Sequence, residues 1–379
     1  MKDSIRDIRQ YLAIIFLGYF ITEPLLLLVF EILGFGSYLG SIVHYSVLFI
    51  SIIYLLSEFI MKGVSKRIII IAVVFLLFFL ISYEKIRSVP ELSSNIEIGL
   101  IFGILYMMVA SLARMKLDRR AWSILRIFSY ISTLLLLVLA VNYSKMLSLA
   151  HPYTYMTIGY IALPSAVYFA IDMVENRNIF SILALVVNFL FLLLYGSRFP
   201  VLIVILAIGW GLLAIHTRVK DKAVFVLVSL GLVVTIFFFI GKPSIDSRTV
   251  NLIRSRDFFY DSGRNEFYSE ALRIIKRNPL VGVGMGVDRI IISEQFPYGV
   301  VVGSYPHNIL LELGAQYGIV VGSTMFFAVL YRLMITMKSM DNAARKIMIY
   351  LVLGLTLELL VSSSYTSSPL SWAFLGLCF

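Results

Sequence analysis

Three positions combine a reactive or charged side chain with the start of a helix-forming run: Arg198 in Tyr195-Gly196-Ser197-Arg198, Arg264 in Ser262-Gly263-Arg264, and His307 in Ser304-Tyr305-Pro306-His307-Asn308. At a helix N-terminus, unpaired N–H groups and the dipole favour anions. A guanidinium stays charged and grips phosphate oxygens in a fork, so two arginines placed this way suit a pyrophosphate. A helix N-terminus and nearby cations both disfavour imidazolium, so His307 reads as a neutral ring able to accept a proton at pH 7. The bland alternatives are an interfacial Arg198, a solvated Arg264, and a His307 that only caps its helix or bonds Glu312.

Other ionisable residues compete. His151, beside Pro152, is a rival for binding substrate, whereas His44 lies mid-span and His216 faces the opposite side. Glu23, Glu58 and Glu358 fall within or near the ends of apolar runs, where such groups are either functional or paired between helices. The lone Cys378 excludes an internal disulfide, and neither a Walker A motif nor a His-rich metal spacing is present.

The elements that must hold these residues are membrane spans. Hydrophobic residues make up 60% of the chain and charged residues 14%, with a mean hydropathy of +0.93, far more apolar than a soluble domain. The chain reads as an all-α polytopic membrane protein. Spans are expected at 11–33, 38–61, 68–83, 96–113, 122–142, 154–174, 179–195, 200–216, 223–241, 308–336 and 347–362, with a short last segment from Leu370. Alternate loops carry seventeen lysines and arginines against four, which puts the N-terminus in the cytoplasm and the 65-residue loop 242–306 outside. The net charge of +10 therefore follows topology and does not call for nucleic acid. The last segment, starting outside at Pro369, is expected to be too short to return to the cytoplasm.

One membrane domain, 1–379, with a loop subdomain at 242–306 is the economical organisation. Inside the loop, Phe267, Ala271, Ile274 and Ile275 form one apolar stripe, so a helix is expected at about 264–277, capped by Asp261 or Ser262 and ended by Asn278-Pro279. Gly282, Gly284 and Gly286 lack the strand–helix frame of a dinucleotide site and read as a tight, flexible turn.

These residues resemble the O-antigen polymerase and O-antigen ligase family. The resemblance rests on Gly196-Ser197-Arg198, Ser262-Gly263-Arg264, Asn278-Pro279-Leu280-x-Gly282-x-Gly284, and His307-Asn308 followed by Gly318-Ile319-Val320-Val321-Gly322. It covers the second half of the chain. It implies a GT-C-type fold of about 11–12 spans with one long extracytoplasmic loop, in the bacterial inner membrane. It also implies metal-independent, inverting transfer of a glycan from undecaprenyl pyrophosphate, with no cofactor. By matching motif, Arg198 and Arg264 would hold the pyrophosphate and His307 would deprotonate the attacking sugar hydroxyl. Tyr195, Arg254, Arg256, Tyr260, Tyr305, Asn308 and Glu312 are secondary candidates for glycan or phosphate contacts. The expected partners are lipid-linked glycan donor and acceptor, membrane lipids and a chain-length regulator protein. A polymerase of repeat units for O antigen or capsule is the first reading and a ligase onto lipid A–core the second. A lipid-linked-glycan flippase or proton-coupled transporter stands further off.

Overall fold

The structure, a computed structural model, describes residues 2–61, 63–142, 154–176, 178–195, 198–214, 264–296 and 302–379. Among them there are thirteen α-helices and no strand: α1 (Lys2–Ile32), α2 (Gly36–Ile60), α3 (Lys66–Ile86), α4 (Pro90–Ala113), α5 (Arg119–Val141), α6 (Thr154–Asn176), α7 (Ile179–Tyr195), α8 (Arg198–Ala214), α9 (Arg264–Arg277), α10 (Val287–Ser293), α11 (Ile309–Ser339), α12 (Asn342–Leu355) and α13 (Pro369–Cys378). Six of these contain stretches long and apolar enough to cross a bilayer: Tyr11–Ile32, Tyr38–Ile60, Lys66–Ile86, Pro90–Lys116, Arg119–Val141 and Ile309–Ser339. The protein is thus an all-α polytopic membrane protein. The span expected at 223–241 lies outside the described residues.

Helix starts follow local side-chain chemistry. Ser65 caps α3, Asp118 caps α5 and Asp341 caps α12, each oxygen accepting from free N–H groups of the first turn. One core packs α1, α4, α5, α6, α7, α8 and α12 around Phe20, Tyr168, Phe169 and Phe189. A second joins α3, α4, α11 and α13 around Phe75, Tyr317 and Trp372.

The bundle has two distinct ends. At one, Arg114 follows α4 and donates to Thr336, near the end of α11. At the other, α3 and α4 meet the turn that follows α9, with Lys85 donating to the Val283 carbonyl. The last helix corrects an expectation. α13 lies along α4, with Thr366 against Gly99, Trp372 against Gly103, and Gly376 against Met107 and Ser111. Its Cys378 carbonyl accepts from Thr336, level with Arg114. The ten-residue helix reaches the Arg114 end, because it starts close to Gly99, well inside the bundle, and not at the opposite end. Gly99 is nine residues into α4, about 14 Å below its start at 1.5 Å per residue. α12 rises from the Arg114 end and α13 returns to it. The segment 356–368 is the turn of a helical hairpin whose two arms both lead to the Arg114 end, and the span expected at 347–362 is α12 with part of this turn.

Candidate functional site

The site is built on an interrupted helix. Gly318 breaks α11 with φ 79° and ψ 161°, a conformation only glycine adopts readily. The groups released by the break are taken up by the turn after α9. Ile319 N–H donates to the Pro279 carbonyl, while Val283 and Gly284 N–H donate to the Ala315 and Gln316 carbonyls. Side chains would destroy this fit. A Cβ on Gly318 would lie 2.5 Å from the Leu280 carbonyl, and one on Gly282 would lie 2.4 Å from that of Gln316. The Asn278–Gly284 and Gly318–Gly322 motifs are thus two halves of one lock. The turn is tight, as expected, but backbone bonds hold it, so flexibility is not its use. Above it α9 covers the first turns of α11, burying Ile274 against Ile292 and Ala315.

On this platform Arg264 and His307 converge on one residue absent from the sequence reading, Ser362. Arg264 Nη2 donates to the Ser362 hydroxyl at 3.2 Å. His307 Nδ1 lies 3.0 Å from the Ser362 carbonyl, and Tyr305 Oη donates to the same carbonyl at 3.2 Å. A carbonyl only accepts, so Nδ1 carries the proton and Nε2 keeps the basic lone pair. His307 is neither a cap nor a partner of Glu312. Asn308 caps α11 through Leu310 and Leu311 N–H, and its amide donates to the Leu360 carbonyl. The backbone of His307 sits at φ 52°, the one non-glycine residue with positive φ among those described. Such strain costs of order 1–3 kcal/mol and persists only where its surroundings impose it.

The ring is held down to about pKa 4. Burial is the largest cause, and the positive charges of Arg264 and Arg289 add to it against the opposing Ser362 hydrogen bond. The neutral ring expected from the sequence is found, but desolvation outweighs the cations that suggested it. Burial also pushes the Tyr305 hydroxyl up to about 12, leaving it a donor at neutral pH.

Beneath lies a fully buried polar network. Arg289 of α10 donates to the Ser364 hydroxyl at 2.7 Å, to the Thr366 hydroxyl, and to the Val302 carbonyl at 2.8 Å. It stands 3.8 Å from Glu312 and 5.0 Å over the Tyr305 ring. Ser364 also donates to Glu312, and Gln316 donates to Asp288 at 2.9 Å. Burial raises the Asp288 carboxyl above its ordinary range, against the pull of Arg289. Glu312 is therefore a structural partner below the site. Glu358 closes the hairpin turn by accepting from Ser368 at 2.7 Å.

The turn 362–368 could have been found. Six Ser and Thr residues interrupt two apolar segments of 14 and 10 residues, each shorter than a span. Hydroxyl-rich backbone between two half-helices is how irregular structure is satisfied at membrane depth. Arg289 gave no such signal; it reads as one more loop charge.

Arg198 begins α8, which packs against the Leu357–Leu360 turn, but its side chain lies outside the described residues. Arg254, Arg256, Tyr260, His151, Ser197 and the caps expected at Asp261 and Ser262 also lie outside them. Tyr195 ends α7 and packs on Phe191, at 5.1 Å between ring centroids. Two further acids singled out in the sequence are paired: Glu23 with His44 and Tyr106, and Glu58 with Arg9.

Comparison with known proteins adds one finding. Residues 183–327 match the family model described as O-antigen ligase, and this supports the O-antigen polymerase and ligase family for the chain. The matched stretch contains Arg198, Arg264, Arg289 and His307 but stops before Ser362. No curated protein matches the chain.

Proposed function

We propose, proceeding from the O-antigen polymerase and ligase family that the match at residues 183–327 supports, that this protein transfers a glycan from a polyprenyl pyrophosphate to a sugar hydroxyl at the membrane. The observation that carries the reading is the convergence of Arg264 and His307 on Ser362. His307 Nε2 takes the proton of the acceptor hydroxyl, and the oxygen attacks the anomeric carbon from the face opposite the leaving group. The bond to the pyrophosphate oxygen breaks, and the charge that develops there is stabilised by Arg264 and Arg198. Attack opposite the leaving group inverts the anomeric centre. The lipid pyrophosphate is itself the activated group, so the step draws on no nucleotide. The loop 242–306 faces the extracytoplasmic side of a bacterial inner membrane in this reading.

We favour a polymerase of lipid-linked repeat units, since donor and acceptor then belong to one substrate class and a chain-length regulator would be a natural partner. The description of the matched family favours a second reading, a ligase that moves finished glycan to lipid A–core. The test uses purified protein in detergent with an undecaprenyl-pyrophosphate-linked repeat unit and EDTA. A ladder of growing glycans, absent for His307→Ala, is expected. Transfer only after lipid A–core is added would make the protein a ligase, and silence with both acceptors would sink the glycosyltransferase reading.

A further inference from the structure

We infer that Arg289 is a positioning residue: it clamps the turn between α12 and α13 to the loop before α11, and so fixes the Ser362 carbonyl against His307. The inference rests on the general-base reading of His307 and goes beyond it, because Arg289 has no contact with the ring's basic face.

Arg289 touches both segments whose mutual position sets the His307–Ser362 bond. On the turn it donates to the hydroxyls of Ser364 and Thr366, two and four residues past Ser362. On the loop it donates to the Val302 carbonyl and stacks its cation on Tyr305. Tyr305 in turn donates to the Ser362 carbonyl that holds His307. A chain of direct contacts therefore runs from Arg289 to the catalytic tautomer along two routes. A planar guanidinium can serve several acceptors in fixed directions, which a lysine ammonium cannot reproduce. Arg289 is fully buried, and its Nε and Glu312 Oε2 have no hydrogen-bond partner among the described residues. Such incompletely satisfied buried charge is costly, and its retention asks for a reason.

The clamp also keeps the ring dry. The charged and titratable groups around His307 are Arg264 from α9, Arg289 from α10, and Tyr305 from its own loop. Glu312 and Glu358 lie behind Tyr305 and act on its hydroxyl. If the turn separates from the loop, water reaches the ring, and its affinity for protons climbs from the depressed value back toward the ordinary 6.5.

The experiment uses full-length protein in detergent carrying Arg289→Lys and, separately, Ser364→Ala. The second variant keeps the Arg289 charge opposite Glu312 and removes only a hold on the turn. Two readouts are taken against pH. One is kcat with saturating lipid-linked donor. The other is the rate of carbethoxylation of His307 by diethyl pyrocarbonate, followed by peptide mass spectrometry, which needs no substrate. Both variants are expected to move the acid limb of both profiles up by about one pH unit or more, toward the ordinary histidine value. Arg289→Lys should lower kcat at pH 7 by about tenfold or more, with donor KM nearly unchanged, as for loss of positioning. A role in stability alone would lower the amount of folded protein and leave both limbs in place. Unmoved limbs in folded samples of both variants overturn the inference. A shifted modification profile in a protein that transfers no glycan would support the clamp and overturn the glycosyl-transfer reading.

Discussion

Two of the buried ionic clusters among the described residues are finished to different standards. Asp172 in α6 has both oxygens filled: one accepts from Trp122, Arg126 and Asn176 at 3.0, 2.9 and 2.6 Å, and the other from Ser181 at 2.7 Å. Every partner stands on a regular helix, α5, α6 or α7, and the knot joins all three. The Arg289 cluster instead places two carboxylates around one guanidinium, and Asp288 Oδ2, Arg289 Nε and Glu312 Oε2 have no hydrogen-bond partner among the described residues. Its partners stand on a seven-residue helix, an interrupted helix and a turn. A satisfied cluster between regular elements holds the bundle together. An incompletely satisfied one, a few residues from the strained backbone of His307, belongs on the proposed reading to the working part.

The contrast breaks if the two clusters respond alike. The largest effect is expected at His307→Ala, which should lower transfer by about 10²–10⁴-fold, the usual contribution of a general base, with the thermal unfolding midpoint unchanged. Glycan ladders together with a melting curve check this; normal polymer length in the variant would end the general-base assignment. Next comes Asp172→Ala, which strands the half-exposed Arg126 and three further donors. It should cost about 3 kcal/mol of stability while each surviving folded molecule works at the normal rate. Gly318→Ala follows, at about 1–3 kcal/mol for a conformation that suits glycine alone, plus the clash with Leu280; the yield of folded protein in detergent reads it. The smallest effect is at Ser362→Ala, which removes the hydroxyl bonded by Arg264 but spares the carbonyl bonded by His307. Donor KM should rise by a few fold, about 1 kcal/mol for a single hydrogen bond to a partly exposed charge.

The pH profile sharpens the same comparison. With His307 at about 4 in the folded protein and 6.5 when unfolded, the base stays available until the pH falls toward 4. The acid limb of kcat should therefore lie near pH 4. The stability sign runs the same way. Between pH 6.5 and 4 the unfolded chain binds the proton more readily, so acidification through that window should destabilise the fold through His307. An acid limb near 6.5 would show that the ring is open to water.

Much of this was legible in advance. The six long apolar helices, expected at 11–33, 38–61, 68–83, 96–113, 122–142 and 308–336, followed from apolar run length, and the helix at 264–277 from one stripe of four residues, because both depend only on local periodicity. Arg264 and His307 stood out as candidates because chemistry restricts the residue types and their spacing, and the fold brings both to Ser362. Ser362 and Arg289 did not. A main-chain carbonyl leaves no mark on the residue that provides it, and a buried arginine cannot be told from a solvated one until the fold brings 289, 302, 364 and 366 together. The hairpin of α12 and α13 was not foreseen for a related reason. Hydropathy gives the length of an apolar run but not the depth at which it starts.

That hairpin also sets an order of events in biosynthesis. Arg264 and His307 leave the ribosome well before residues 356–368, and chains fold broadly in the order they are made. A nascent chain that has emerged only as far as α11 carries both side chains but has nothing to fix the histidine tautomer, and Arg289 lacks two of its acceptors. On the proposed reading, competence arrives only when α12 and α13 fold back, α13 along α4, and the turn between them delivers Ser362. On the same reading, an unfinished chain in the membrane is thereby kept from spending its donor.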